Sequence, residues 1–142
     1  MKEFEDAFQF GMNAARAAEF KRREISGVLR EFSDSLTLST NGALGVDLRT
    51  EINRKSNALM ALLDPTEGRK QWLAVSIKEE PSKYETVAEW RQSAEGYPCT
   101  VITAGEEVAC YDKVSLQAEL ARIAASPQMG AVIMRLWGSS EA

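Results

Sequence analysis

The chain contains no histidine. That absence removes Ser-His-Asp and Cys-His catalysis, histidine general bases and every zinc site built on an imidazole. Cysteine is scarce as well, with only Cys99 and Cys110. Two thiolates cannot close a zinc site without further ligands, and disulfide scaffolds carry more. The nine glycines fall singly, so neither G-x-G-x-x-G nor G-x-x-x-x-G-K-[ST] occurs. Nucleotide binding through those loops is excluded. No apolar run approaches the ~20 residues that a membrane-spanning helix needs. The opening MKEFEDAFQF places acids where a secretory leader has a basic region. The expectation is a cytoplasmic chain with reduced thiols and no membrane association.

An excess of positive charge is also missing. Seventeen Lys and Arg stand against 21 Asp and Glu, a net charge of −4. A globally basic nucleic-acid binder would look different. The charge is nevertheless uneven: residues 49–78 carry six basic and three acidic side chains, and residues 79–142 carry five basic and ten acidic.

What is present is an ordinary globular composition. The 142 residues are 44% apolar and 27% charged, enough for one domain with its own core. The expected organisation is a single α+β domain over 1–137 with a flexible tail at 138–142.

Positions 4, 8, 11, 15, 18, 22, 25, 29, 32 and 36 alternate spacings of four and three, and eight of the ten are apolar. This predicts a long N-terminal helix over 3–33 with a continuous seam. Gly11, Ala15 and Ala18 make the seam narrow in its middle, open to close approach by a second helix. Ser35 to Thr40, Asn41-Gly42 and Ala43 to Leu48 read as a hairpin, because Asn-Gly tolerates the positive φ of a tight turn. Residues 58–63 fit a buried strand turning at Asp64 to Gly68 into a strand at 72–77, with a helix from Thr50 as the alternative. Tyr84, Val87, Ala88 and Trp90 predict a helix over 83–95 ended by Gly96. Strands follow at 99–103 and 107–111. A helix capped by Asp112 or Ser115 is stopped at Ser126-Pro127, and 131–137 reads as a last strand. The sum is an α+β fold: a long N-terminal helix packed on a mainly antiparallel sheet, with two further helices.

Five constellations bear on function. With a loop centred on Ala104-Gly105, Cys99 and Cys110 lie opposite each other. They form either a redox-sensitive pair or two small core residues, and the core reading is preferred. Asp47 and Lys78 resemble the arrangement of PD-(D/E)XK nucleases, in which carboxylates hold Mg²⁺ beside a lysine. Ser76, however, occupies the place of the central acid. Arg49, Arg54, Lys55, Arg69, Lys70 and Lys78, with Trp72 nearby, form a candidate basic patch. Phosphate loops are absent, as above. Phe4, Phe8, Ile25, Leu29 and Phe32 on the seam form a candidate surface for self-association or a partner helix.

The leading expectation is a non-enzymatic cytoplasmic protein-interaction module that forms homo-oligomers and needs no cofactor. Small acidic proteins of this class serve bacteria and phages as adaptors, chaperones or inhibitors, which is class analogy. The second reading is a nucleic-acid-associated protein using 49–78. The third is a carboxylate- or metal-dependent enzyme.

Overall fold

A computed structural model describes residues 1–52 and 69–140. Helix α1 (Lys2–Ser39) leads into a five-stranded sheet of β1 (Leu44–Ile52), β2 (Arg69–Ile77), β3 (Glu80–Ser93), β4 (Gly96–Thr103) and β5 (Glu106–Cys110). Helices α2 (Lys113–Ala124) and α3 (Pro127–Ser140) complete the chain. The strands lie in sequence order and every pair is antiparallel. The α+β class, the long first helix and the number of further helices agree with the sequence reading, but of those two only α2 stands where a helix was expected.

Alternation along each strand sends one set of side chains toward the helices. Leu73, Ala88, Trp90, Cys99, Val101 and Cys110 pack with Ile25 and Val28 of α1 and Leu116, Leu120 and Ile123 of α2. Leu44, Val75 and Ile77 pack with Leu36 of α1 and Met129, Val132 and Leu136 of α3. Phe32, Val46 and Val87 touch both clusters, so the core is continuous. The opposite sheet face is ionic. Asp47 pairs with Arg49, and Arg91 bridges Glu89 and Glu107.

Three expected elements take a different form. Residues 35–39 continue α1, with Thr40 as its C-cap, instead of pairing with 43–49. The hydroxyls of Ser35, Thr37, Ser39 and Thr40 donate to carbonyls four residues back, which satisfies them inside a helix. Asn41 (φ 53°) and Gly42 (φ 86°) do adopt the left-handed region, but to end a helix. The Gly42 N–H donates to the Thr37 carbonyl at 2.8 Å, and the Leu44 N–H to Thr40 Oγ1 at 3.1 Å.

Residues 83–95 are not a helix; β3 runs through them to Ser93. The β2–β3 register shifts between Leu73 and Ala74, whose partners are Ala88 and Thr86. A bulge at Val87 breaks the two-residue alternation and leaves a spacing that imitates a helix. Residues 131–137 are not a strand but the middle of α3. Met129, Val132 and Leu136 bury one helical face. Ser126-Pro127 stops α2 and also starts α3: Ser126 Oγ accepts from the Met129 N–H at 3.2 Å, and Pro127 takes the first helical position. Helix α3 continues through Gly138 to Ser140, beyond the expected start of the tail. The expected strand at 58–63 and its turn lie outside the described residues.

The expected strands near 99–103 and 107–111 and the helix after Asp112 match. The β4–β5 register sets Cys99 opposite Cys110, and Asp112 caps α2. Asp112 accepts from the Ser115 N–H at 2.8 Å, while Ser115 Oγ accepts from the Asp112 N–H at 3.2 Å. This reciprocal box satisfies two donors at the helix start.

Candidate interaction surface

Helix α1 has two halves with different surroundings. Ile25, Val28 and Leu36 are buried in the core, and Leu29 and Phe32 are half-buried against it. Every residue from Met1 to Ala17 is exposed. The seam residues therefore separate: Ile25 is 1% exposed, whereas Phe4 is 61% and Phe8 71% exposed. Ile25, Leu29 and Phe32 hold the helix to its own sheet. Among the described residues, Phe4 and Phe8 belong to neither core cluster.

The boundary between the halves is built by the β3–β4 turn. Gly96 there has φ 105°, and a Cβ on it would lie 2.7 Å from Lys21 Cβ. Helix backbone thus crosses the turn at contact distance, which only glycine permits. Arg22 Nη1 donates to the Ala94 carbonyl at 2.6 Å. One turn further on, the Tyr97 hydroxyl donates to Glu24 Oε1 at 2.7 Å. Burial and this bond to a carboxylate both push the Tyr97 phenol above its ordinary pKa. Glycine, arginine and tyrosine together clamp the helix at residues 21–24. The ~20 residues before the clamp extend about 30 Å.

The projecting half is rich in apolar side chains. Phe10, Met12 and Phe20 are exposed along with Phe4 and Phe8. Four of the chain's five phenylalanines lie in its first twenty residues. At 100° per residue Phe4, Phe8 and Met12 share one face, while Phe10 and Phe20 point elsewhere around the helix; single exposed apolar residues are ordinary, and it is the shared face that forms the candidate binding surface. Phe10, Met12 and Phe20 escape a search limited to the 4-3 seam; the phenylalanine concentration is the signal that finds them. A polar strip runs along the helix, where Gln9 and Arg16 both donate to Asn13 Oδ1. The charges are biased along the helix: Glu3, Glu5 and Asp6 outnumber Lys2 near the start, and Lys21, Arg22 and Arg23 outnumber Glu19 and Glu24 at the clamp, where Arg23 pairs with Glu19 at 2.7 Å. Acids at the helix N-terminus also complement its dipole.

The candidate basic patch is dispersed. Arg49 donates to Asp47 at 3.0 Å and to the Pro81 carbonyl at 2.8 Å, and its guanidinium lies 4.5 Å from the Tyr84 ring centroid. Lys70 and Lys78 are exposed at opposite ends of β2. Arg69 begins that strand, and Arg54 and Lys55 lie outside the described residues. Asp47, the acid of the nuclease-like arrangement, stands opposite Ala74 and is paired with Arg49. Among the described residues no three His, Cys, Asp or Glu side chains gather as a metal site would require. Nor is any described helix long and apolar enough to cross a membrane.

A groove of about 450 Å³ opens between α1, α2 and α3, lined by Val28, Phe32, Leu36, Leu120, Met129 and Ile133. Its walls are mainly apolar, with Glu31, Ser35, Ser39 and Gln117 as the polar part of the lining. Glu119, buried at the back of α2, is held by both Nε and Nη2 of Arg122, which makes it a satisfied structural carboxylate.

Comparison of the chain with protein-family models, curated proteins and solved structures gives no match.

Proposed function

We propose that this chain is a non-enzymatic protein-binding module whose docking element is the projecting half of α1. The observation that carries the reading is the contrast along one helix. Its second half is buried on the sheet, while its first half presents Phe4, Phe8, Phe10, Met12 and Phe20 to solvent. A helix of this length is marginal in water without packing, and its apolar face gains stability only by being covered. A protein surface that accepts an amphipathic helix supplies that cover.

Photo-crosslinking in cells that produce the full chain tests the reading. A benzophenone amino acid replaces Phe8 in one preparation and Tyr111, an exposed residue beyond β5, in another. Defined protein adducts at position 8 and few at position 111 are expected. Equal background labelling at both positions would overturn the proposal.

A further inference from the structure

The geometry points to a second copy of this chain as the occupant, with the two projecting helices packed antiparallel. This inference rests on the protein-binding reading above and names its partner.

Size complementarity is the first argument. On the seam, Phe4 and Phe8 are bulky, whereas Gly11, Ala15 and Ala18 are small. Setting Phe8 opposite Ala18 of the second copy places Gly11 opposite Ala15 and Phe4 opposite Arg22. Each large side chain near one end then meets a small or extended one near the other, and the two backbones approach closely at the centre. A parallel pair instead sets Phe8 against Phe8 and Gly11 against Gly11, crowding one end and leaving a gap in the middle.

Charge supplies the second argument. Glu5 and Arg23 are about five helical turns apart, as are Glu3 and Lys21, so each acid shares a face with its base. In an antiparallel pair like faces lie side by side. Glu5 then flanks Arg23 of the second copy, and Glu3 flanks Lys21, at both ends of the two-fold arrangement. Parallel pairing would set acid beside acid and base beside base, which is destabilising. The clamp keeps the bases in place for this role. Arg22 is drawn onto the Ala94 carbonyl; Lys21 and Arg23 remain exposed, and Arg23 is paired at 2.7 Å with Glu19 of its own helix, a surface pair that Glu5 of the second copy would share.

The two ends of the pair are chemically opposite, so charge reversal tests the inference on the full chain. Unmodified protein at ~100 µM is expected to sediment as a dimer, a concentration that populates complexes of low-µM affinity. Glu3→Lys with Glu5→Lys should weaken dimerisation roughly tenfold or more, as should Lys21→Glu with Arg23→Glu, because repulsion replaces attraction at both symmetry-related ends. Mixing the two variants should restore a dimer, now of one chain of each kind. Circular dichroism controls for folding. Orientation is read by disulfide trapping: Phe8→Cys mixed with Ala18→Cys should cross-link, and neither alone should. Rapid self-cross-linking of either alone would show a parallel pair and overturn the geometry. A monomer at ~100 µM, with position 8 photo-adducts to a different protein, would overturn this inference and leave the protein-binding reading standing. No adducts at position 8 would remove both.

Discussion

Gly96 and Lys21 are in backbone-level contact: a methyl group on the glycine would sit 2.7 Å from the lysine Cβ. Gly105 also has a positive φ, 75°, but nothing lies within 4 Å of its missing Cβ. Both Gly→Ala substitutions carry the backbone strain of that region, of order 1–3 kcal/mol. Only Gly96→Ala must also push α1 off the turn. Urea denaturation should show Gly96→Ala less stable than Gly105→Ala by at least ~1 kcal/mol. Equal losses would mean that α1 is not held against the β3–β4 turn.

Phe8 and Ile25 lie on one seam but should respond oppositely to truncation. Ile25→Ala empties a site in the core and should cost roughly 2–5 kcal/mol. Phe8→Ala, measured at sub-µM concentration, should stay within ~0.5 kcal/mol of the unmodified protein. A large loss at Phe8 would show that the helix start packs on its own domain. Ile25→Asp, for the same reason, is expected to prevent folding and not to release a folded monomer.

Cys99 and Cys110 should be inert thiols. Burial, with the other cysteine nearby, pushes Cys99 up to about 12, and burial followed by Glu119 and Asp112 raises Cys110. At pH 8 a thiol with a pKa near 12 is thiolate in only about one molecule in 10⁴, and the thiolate is the reactive form. Iodoacetamide labelling should be slow in native protein and fast in urea. Unfolding lowers both pKa values toward 9.0, so stability should fall as pH rises from about 9 toward 12. Each Cys→Ala change should cost roughly 1–2 kcal/mol. Rapid labelling of the native protein would contradict this account.

The α2 cap makes an acid-side prediction. Hydrogen bonds from the Ser115 backbone and then its side chain hold the Asp112 carboxyl below its usual 3.8. A depressed acid stabilises the fold above the unfolded value and loses that contribution as pH falls through the folded one. Asn caps a helix nearly as well but does not titrate there. Thermal melts should therefore show a smaller fall in midpoint for Asp112→Asn than for the unmodified chain between about pH 5 and pH 3. Parallel curves would show that the cap does not titrate with folding.

Nucleic acid should bind poorly. Lys70 and Lys78 are separated by the length of β2, about 26 Å at strand rise, and Arg49 is paired with Asp47. Binding of labelled DNA or RNA at physiological salt is expected to be weaker than ~10 µM. Affinity near 1 µM, falling steeply with added salt, would show instead that phosphates dominate.

Legibility in the sequence followed how local each determinant was. The α+β class, the register of Cys99 against Cys110 and the cap at Asp112 rest on short-range patterns with one physical solution. Asn41-Gly42 specified positive φ correctly, but a helix end and a hairpin both use it, and the choice was made by hydroxyls bonding back to carbonyls. Ser126-Pro127 was legible as a stop; the same pair also starts a helix. The Val87 bulge could not be seen locally, because it exists only in the pairing of β3 with β2. At the candidate surface the seam was visible as one unbroken pattern. Its division into a buried and an exposed half was not, since that depends on where Gly96, seventy-odd residues away, meets Lys21.

The meander carries a consequence for the order of folding. Each strand pairs with its neighbour in sequence, so the hairpins from β2 to β5 close over short loops. The contact of Arg22 with the Ala94 carbonyl spans 72 residues. Contacts of large sequence separation carry the greater closure entropy and form after local ones. The base that holds the N-terminal arm outward is thus completed late, once the β3–β4 turn exists. A chain still being built has the arm's apolar residues but no platform to hold them outward, so the exposed arm is a property of the finished domain.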